Sequence, residues 1–284
     1  MHRHPSAGRD APFSNRARRL LLAAAILLFL LAALSAAWWT VASARSAILP
    51  NQPAAAILAT VLVLAFAVAA RALRAVTTTG ALAGAFTVSL LFLGGGAGAF
   101  AAIALVFLLT FLATRLGHGR KLQLGIAQGD RGRNASQVLA NTGVAALAAL
   151  LAWQGQPSGM WLAISAAALA EAAADTVSSE VGQAVAWPTV LVTTWRRVPP
   201  GSHGGVSLPG TLAGLFAAAL VTATCTAARV IDPPLAGIVL LAGLSGMLAD
   251  SLLGATLEQR GLMGNDAVNL SGTLVAAAVT LVFS

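Results

Sequence analysis

Long apolar stretches alternate with short polar segments along the chain, and this pattern indicates a bundle of membrane-spanning helices. A helix needs about 20 consecutive apolar residues to cross the hydrocarbon core of a bilayer. We therefore predict an all-α, polytopic helical membrane protein with about nine transmembrane helices, within a range of roughly seven to nine. The predicted spans cover residues 20–41, 54–70, 80–93, 97–114, 135–153, 159–175, 206–228, 235–257 and 267–283.

Two places in this pattern need a separate interpretation. Three glycines at 94–96 separate two short apolar stretches and predict a tight hairpin between the third and fourth helices. Residues 183–195 are apolar, but at 1.5 Å per residue they are too few to cross about 30 Å of hydrocarbon. They also contain Trp187 followed by Pro188, so we predict a re-entrant or interfacial segment.

The amino-terminal part of the chain differs from the rest in charge. Residues 1–19 carry five arginines together with Pro and Gly, which predicts a basic cytosolic tail. The sequence Ala-Ser-Ala at 42–44 resembles a signal-peptidase site, yet the apolar stretch before it is longer than the core of a signal peptide. We therefore favour a retained helix, which makes 20–74 a pair of amino-terminal helices and 75–284 the membrane core.

The composition agrees with a membrane protein, since 58% of the residues are hydrophobic, 9% are charged and the mean hydropathy is +0.83. A soluble domain has about 25% charged residues. The chain has a single cysteine, Cys225, which excludes an intrachain disulfide. The net charge of +8 does not indicate a nucleic-acid partner, because the basic residues flank apolar stretches, as in membrane proteins generally.

The basic residues also predict the orientation in the membrane. With a cytosolic N-terminus, nine spans place fifteen of the seventeen Lys and Arg residues in the cytosol and leave only Arg45 and Arg229 outside. Such a bias follows the positive-inside rule. We therefore predict a multi-pass protein of the cell inner membrane with an extracytosolic C-terminus. The same topology brings four polar clusters to the cytosolic face.

The first polar cluster is an acidic stretch at 171–182, which holds three of the nine Asp and Glu residues. A carboxylate near the bilayer is costly and is seldom kept without a function. At 100° per residue, Glu171 and Asp175 share one helical face, whereas Glu180 points roughly the opposite way. Either the helix breaks before Glu180, or this residue contacts a different neighbour.

The second and third clusters are loops that could bind anions. The loop at 115–134 combines basic residues with glycines, and Arg and Lys bind phosphate oxygens. A loop that only sets the topology would have the same residue types. The loop at 199–207 places glycines directly before a helix, where backbone N–H groups can bind an anion. A flexible connector is the alternative there.

The fourth cluster, at 250–269, begins with Asp250 beside apolar residues, and solvation explains Glu258 better than it explains Asp250. Carboxylates beside amides and hydroxyls suit Mg²⁺. Together the clusters predict Mg²⁺-dependent phosphoryl chemistry on a lipid. The candidate catalytic residues are Asp175, Glu180 and Asp250; the candidate metal ligands are these three and Glu171; the candidate phosphate-binding or substrate-binding residues are Lys121, Arg131, Arg133, Asn134, Asn141, Ser202, His203, Gly204, Gly205, Asn265 and Asn269.

Four motifs in these clusters resemble the membrane-protein family described as domain of unknown function 92. That family includes transmembrane protein 19 and the plant phytyl-phosphate kinase of tocopherol synthesis. The resemblance covers about residues 75–284. The motifs are Gln-Val-Leu-Ala-Asn at 137–141, Ala-Asp-Thr-Val-Ser-Ser-Glu-Val-Gly at 174–182, Arg-Val-Pro-Pro-Gly-Ser-His-Gly-Gly-Val-Ser at 197–207 and Asp-Ser-Leu-Leu-Gly-Ala-Thr-Leu-Glu-Gln at 250–259.

The chain departs mildly from the family pattern. The family usually has Ala at the position of Ser178, and Thr-Asn where this chain has Ser202 and His203. The change at His203 could alter the preference for a nucleotide or a phosphate.

The resemblance implies phosphoryl transfer from CTP to an isoprenoid (phytyl or prenyl) monophosphate, giving the diphosphate, at the cytosolic membrane face. The alternative is an ion-coupled membrane transporter, because carriers also have intramembrane carboxylates and broken helices. The nearly bare outer side argues against a carrier. Neither the lipid substrate nor the oligomeric state follows from the sequence.

Overall fold

The computed structural model of the protein describes residues 52–127, 132–155 and 158–284. The predicted tail at 1–19, the predicted span at 20–41 and the candidate phosphate-binding residue Arg131 lie outside the described residues. The described part contains the second and all later predicted spans.

Helices make up most of the described chain, and six helical stretches in it are long and apolar enough to cross a membrane. Many exposed side chains on them are Leu, Val or Phe, as expected for helices that face lipid. The predicted polytopic helical membrane protein is confirmed, whereas the total of nine spans stays a prediction. The helices are α1 (Gln52–Ala72), α2 (Thr78–Arg115), α3 (His118–Gln123), α4 (Ala135–Gln154), α5 (Ser158–Ala184), α6 (Leu208–Ala227), α7 (Ala236–Leu253) and α8 (Asn265–Phe283).

Helix α2 folds back on itself. It has 38 residues, and a straight helix of that length would be about 57 Å long. The backbone leaves the helical conformation at Gly96, where φ is 60° and ψ is −152°. The Nη2 atom of Arg115, at the end of α2, donates to the carbonyl oxygen of Leu73, shortly before α2 begins, at 2.9 Å. This contact requires two antiparallel halves, so the predicted hairpin at 94–96 is confirmed.

Helix α5 lies at the centre of the bundle and contacts α2, α4, α6, α7 and α8. Most of its buried residues are alanines. Small side chains let membrane helices approach closely. An added Cβ at Gly210 or Gly214 of α6 would lie 2.5 Å from the Ser178 carbonyl oxygen or 2.7 Å from that of Ala174. Close backbone packing therefore fixes the helix that carries the acidic stretch.

Helix α7 is flanked by two helical segments of different winding. A 3₁₀ turn, Pro233–Leu235, leads into α7, and a π-helix, Gly254–Glu258, follows it. Together these elements correspond to the predicted eighth span at 235–257. Short π-helical segments within α-helices often occur at functional sites.

A small antiparallel sheet lies between α5 and α6, and the all-α prediction did not include it. Val190 in its central strand pairs with Arg197 on one side and with Val206 on the other. The strands are β1 (Thr189–Leu191), β2 (Arg197–Val198) and β3 (Gly205–Val206), in the order β2-β1-β3.

The sheet explains the apolar segment at 183–195. Helix α5 runs on to Ala184, beyond the predicted end of the sixth span at residue 175. The rest of the segment enters β1 and a turn, so it does not form a helix of its own. The prediction that this segment is too short to cross the membrane is consistent with that structure.

The polar clusters meet at one end of the bundle. Val76, just before α2, forms a parallel bridge with Arg133, just before α4. An added Cβ at Gly182, near the end of α5, would lie 2.8 Å from the Oγ of Ser207, which caps α6. The predicted convergence on one membrane face is therefore present in the fold, while the identity of that face as the cytosolic one stays a prediction.

Candidate functional site

Two carboxyl groups from different helices form the centre of the candidate site. The side chains of Asp175 on α5 and Asp250 on α7 lie within hydrogen-bonding distance of each other. Two carboxyl groups this close cannot both be ionised without a neutralising cation, so they either share a proton or hold a metal ion. Residues 75 positions apart in the chain thus lie side by side, whereas the sequence predicted only that both would lie around one cavity.

Amide side chains from two further helices extend this pair. With its amide oriented to satisfy its neighbours, Asn269 on α8 donates to Asp250 Oδ2 at 3.2 Å. The Asn269 side-chain oxygen then accepts from Asn141 Nδ2 of α4 at 3.0 Å. Asn141 Nδ2 also donates to the Gln137 carbonyl oxygen at 2.9 Å. Four helices therefore contribute to one polar network.

Arg133 supplies the positive charge at this network. Its backbone N–H donates to the Ala75 carbonyl oxygen, and its own carbonyl accepts from the Thr77 N–H, both at 2.9 Å. Burial lowers the pKa of the Arg133 guanidinium from its ordinary value, while the Glu180 and Asp175 carboxylates oppose that shift. The guanidinium stays charged because an arginine pKa begins far above neutrality.

A polar cavity of about 260 Å³ opens at this end of the bundle. The lining residues that the sequence predicted are Arg133, Asn141, Asp175, Glu180, Asn265 and Asn269. Sequence reasoning missed the others, which are Ile126, Gln137, Thr176, Ser179 and Gln183. Gln137, Thr176 and Ser179 lie within the family motifs, which could have marked them.

Lys121 lies in a buried ion pair. Its side chain is 1% exposed, and Nζ lies 2.5 Å from Glu180 Oε2 and donates to the Ala113 carbonyl oxygen at 3.0 Å. Thr114 Oγ1 donates to the other Glu180 oxygen at 3.1 Å. Helix α5 is unbroken here, so the second of the two alternatives for Glu180, contact with a different neighbour, is the observed one.

The glycine loop packs on the π-helix after α7. His203 Nδ1 lies 2.9 Å from Glu258 Oε2, and Gln259 Nε2 donates to the His203 carbonyl oxygen at 2.8 Å. Gly204 has φ of 70°, and a Cβ there would collide with Ala255. The candidate residues of this loop, Ser202, His203, Gly204 and Gly205, are thus not among the residues that line the cavity, and their phosphate-binding role stays a prediction.

Glu258 is closer to the site than the sequence indicated. Its side chain is 10% exposed, whereas a solvated residue was expected. Its charge acts on both Asp175 and Asp250. Sequence reasoning did not place Glu258 at the site, although this residue lies within the motif at 250–259 and at the end of the π-helix.

Glu171 occupies a slot between two glycines. It is 1% exposed, and its Oε1 atom has no hydrogen-bond partner among the described residues. A Cβ added to Gly246 of α7 would lie 2.5 Å from Glu171 Cγ, and one added to Gly272 of α8 would collide with Oε1. Glu171 is thus enclosed by α7 and α8.

The four candidate metal ligands do not form one ligand set. Within the described residues, no group of three or more Asp, Glu, His or Cys side chains is arranged to hold an ion. Glu180 is held by Lys121, and Glu171 lies in its glycine slot. The remaining pair, Asp175 and Asp250, fits Mg²⁺, which takes one or two protein carboxylates and completes its shell with waters and phosphates.

Asn134 has a structural role in addition to any binding role. Its side chain accepts from the Gln137 N–H, and the Gln137 side chain accepts from the Asn134 N–H, each at 3.0 Å. This reciprocal capping box begins α4 and leaves Asn134 exposed. Arg131, predicted beside it, is outside the described residues.

Comparison with known proteins agrees with the motifs. An uncharacterized membrane protein of Synechocystis sp. is 34% identical over 175 residues, which are 59% of this chain and 67% of that protein. The chloroplastic protein VTE6 of Arabidopsis thaliana is 28% identical over 194 residues, 66% of this chain and 58% of VTE6. An uncharacterized membrane protein of Methanocaldococcus jannaschii is 33% identical over 177 residues, 61% of this chain and 71% of that protein.

These similarities concern the membrane core. The aligned region is less than two thirds of the length of VTE6. No solved structure matches the chain. The family described as integral membrane protein DUF92 matches residues 61–277, which are well over half of the chain. The protein therefore belongs to the integral membrane protein family DUF92.

Proposed function

We propose that the protein transfers the terminal phosphoryl group of CTP to a prenyl monophosphate and so forms the prenyl diphosphate. The observation that carries the proposal is that Asp175, paired with Asp250, shares a polar cavity with Arg133 at one end of the membrane helices. Phosphoryl transfer depends mainly on positioning and on neutralising charge, and these groups can do both. CTP and the prenyl acceptor are taken from the family resemblance.

The acidic and basic residues of the site would have different roles. Asp175 and Asp250 would hold Mg²⁺, which when bound neutralises charge on the transferring phosphates. Arg133 would bind phosphate oxygens through its guanidinium. Glu180, fixed by Lys121 and Thr114, would keep that guanidinium in place.

The acceptor simplifies the chemistry. A prenyl phosphate is already an anionic nucleophile, so the reaction needs no strong general base. One of its oxygens would bond to the γ-phosphorus of CTP while the bond from that phosphorus to the β-phosphate oxygen breaks and CDP leaves. The main obstacle is repulsion between the two anionic phosphates, and the cations of the site would relieve it.

The location of the cavity suits a lipid substrate. It opens where membrane-spanning helices end, so a prenyl chain could stay in the bilayer while its phosphate reaches Arg133. CTP is a cytosolic solute, so the proposed reaction requires this end of the bundle to face the cytosol. A cytosolic N-terminus and nine spans, with the first at 20–41, complete the proposed topology.

The test is CTP turnover by the purified protein in lipid nanodiscs with Mg²⁺ and a panel of prenyl monophosphates. We expect the wild type to release CDP only when a prenyl phosphate is present. Asp175→Asn should abolish turnover while the protein stays folded, because the amide keeps the size of the side chain but removes the charge that would hold Mg²⁺. Equal turnover by the two proteins would remove Asp175 from the catalytic role.

Arg133→Gln tests the phosphate contact. A charge-assisted hydrogen bond contributes about 1.5–3 kcal/mol, so KM for one substrate should rise by roughly tenfold or more. Arg229→Gln is the matched control, because Arg229 is exposed and follows α6 at the opposite end of the bundle. An equal effect of both substitutions would indicate a general loss of charge rather than a phosphate contact.

Glu171 favours the second candidate, an ion-coupled carrier. A buried carboxyl group whose Oε1 atom has no hydrogen-bond partner among the described residues, one turn below Asp175, resembles the intramembrane acids of proton-coupled and cation-coupled transporters. A carrier would show no CTP or Mg²⁺ dependence. Uptake of a solute into proteoliposomes that is lost in Glu171→Gln, together with absent CTP turnover, would favour transport.

A further inference from the structure

The turn between β1 and β2 presents aromatic and basic side chains away from the rest of the protein. Trp195 is 74% exposed, and Trp187, just before β1, is 49% exposed. Arg196 and Arg197 are also exposed, and neither forms an ion pair within the described part of the chain. We call residues 187–197 the aromatic hairpin.

The backbone of the aromatic hairpin holds Trp195 in this exposed position. Trp195 has φ of 56°, in the left-handed region that bulky residues seldom adopt. Its N–H donates to the Leu191 carbonyl oxygen at 2.8 Å, and the Leu191 N–H donates to the Arg196 carbonyl oxygen at 2.9 Å. Backbone strain of this kind persists only where the surrounding structure imposes it, and it clusters at functional and ligand-binding sites. A partner that accommodates the ring would stabilise this conformation.

The aromatic hairpin lies where the bundle meets the headgroup layer. The membrane-spanning helices α5 and α6 end at Ala184 and begin at Leu208, on either side of the sheet. In the loop before β3, an added Cβ at Gly201 would lie 2.9 Å from Ile126, a residue of the polar cavity. The hairpin is therefore at the same end of the protein as the cavity and at the level where two spans leave the hydrocarbon.

The Trp and Arg side chains of the aromatic hairpin suit the lipid headgroup layer. Tryptophan concentrates at the membrane–water interface, where the ring meets apolar chains and the N–H meets water. Anionic lipids attract basic residues, and each Arg or Lys near the surface strengthens binding about fivefold. A bilayer surrounds any protein with membrane-spanning helices, so this partner is present without a further assumption.

We propose that the aromatic hairpin binds anionic phospholipid headgroups of the surrounding bilayer. Trp187 and Trp195 lie in the interface, and Arg196 and Arg197 contact lipid phosphates. The proposal does not depend on the enzymatic function. It adds a separate lipid contact to the cavity end of the protein, outside the cavity itself.

The experiment uses an environment-sensitive fluorophore on the full chain. Cys225 is buried and is the sole cysteine, so Cys225→Ser gives a background for a single label. Thr193→Cys places an NBD label on the exposed turn, and Gln154→Cys places it on an exposed position at the end of α4, at the far end of the bundle. Both proteins are studied in nanodiscs of phosphatidylcholine with increasing phosphatidylglycerol.

We expect the emission of the label at 193 to shift to the blue as phosphatidylglycerol increases, while the label at 154 does not respond. Arg196→Gln or Arg197→Gln should weaken the apparent affinity for the anionic lipid about fivefold each. Trp195→Ala should reduce the size of the blue shift at saturating anionic lipid.

Three results would overturn the proposal. One is the same emission at 193 in neutral and anionic discs. Another is an unchanged response when Arg196 and Arg197 are both replaced by Gln. The third is a response that requires two protein copies per disc, which would identify a second copy as the partner. Since none of these readings uses CTP turnover, the enzymatic proposal can fail while this one stands.

Discussion

Replacing Lys121 by Met should destabilise the protein more than most single substitutions. Lys121 Nζ is 2.5 Å from Glu180 Oε2, and the side chains of Lys121 and Glu180 are 1% and 13% exposed. Removing the ammonium leaves the Glu180 carboxylate, which is only 13% exposed, without its ion-pair partner. Loss of one partner from a buried ion pair costs about 3–5 kcal/mol. Two carbonyl oxygens, those of Ala113 and Thr114, also lose the hydrogen bond that the Lys121 ammonium donates.

A double substitution separates the ion pair from simple packing. In Lys121→Met combined with Glu180→Gln, neither member of the pair is charged, so most of the loss should be recovered. Replacing both members of such a pair by neutral groups is often nearly neutral in stability, whereas breaking it is costly. Thermal unfolding in one detergent measures the difference, and 3 kcal/mol corresponds to roughly 6–12 °C in midpoint.

The control is Arg120→Met, in the same short helix α3 but without an ion pair among the described residues. It should change the midpoint far less than Lys121→Met. If the double variant is as unstable as Lys121→Met, the pair is not what stabilises this region. A wild-type midpoint in Lys121→Met would show that Glu180 is solvated, which would refute the burial on which the reasoning depends.

Three further predictions use other contacts. Gly272→Ala should lower the unfolding midpoint and CTP turnover together. The added methyl group overpacks the contact with Glu171, which costs about 1–3 kcal/mol of stability. Thermal unfolding and turnover, measured in parallel, test this. Gly204→Ala should destabilise by at least about 1–2 kcal/mol, since φ of 70° disfavours a side chain and the Cβ collides with Ala255; the unfolding midpoint tests it. A C-terminal alkaline phosphatase fusion should be active, because phosphatase folds only outside the cytosol and the proposed nine-span topology would place the C-terminus there.

Most of the fold could be predicted because it follows from local sequence. Helix length and apolar content are set by the bilayer, so most span boundaries could be placed without knowledge of tertiary contacts, whereas α5 runs to Ala184, beyond its predicted end at residue 175. The hairpin within α2 was predictable for a similar reason, since Gly96 tolerates φ of 60° where other residues would be strained. The placement of Asp175 and Asp250 at one end of the bundle was predictable from topology, whereas their direct proximity depends on how α5 and α7 pack.

The parts that sequence reasoning missed depend on contacts between distant segments. Nothing near Lys121 in the chain shows that its ammonium meets Glu180 rather than a phosphate, because that contact depends on how α3 packs against α5. The sheet was missed because three strands of two or three residues carry almost no periodic signal. The inward position of Glu258 depends on a π-helix, a change of winding that the 3.6-residue period does not predict.

The slot around Glu171 offers a physical reason for the arrangement of the site. Glu171 is one helical turn below Asp175, and Gly246 is one turn below Asp250. Gly246 and Gly272 lack side chains where α7 and α8 meet Glu171, so both helices can approach α5 closely at that level. Close approach one turn below brings Asp175 and Asp250 within hydrogen-bonding distance. The two glycines therefore set the spacing of the carboxylates, and an added methyl group at either one should act on the site by moving a whole helix.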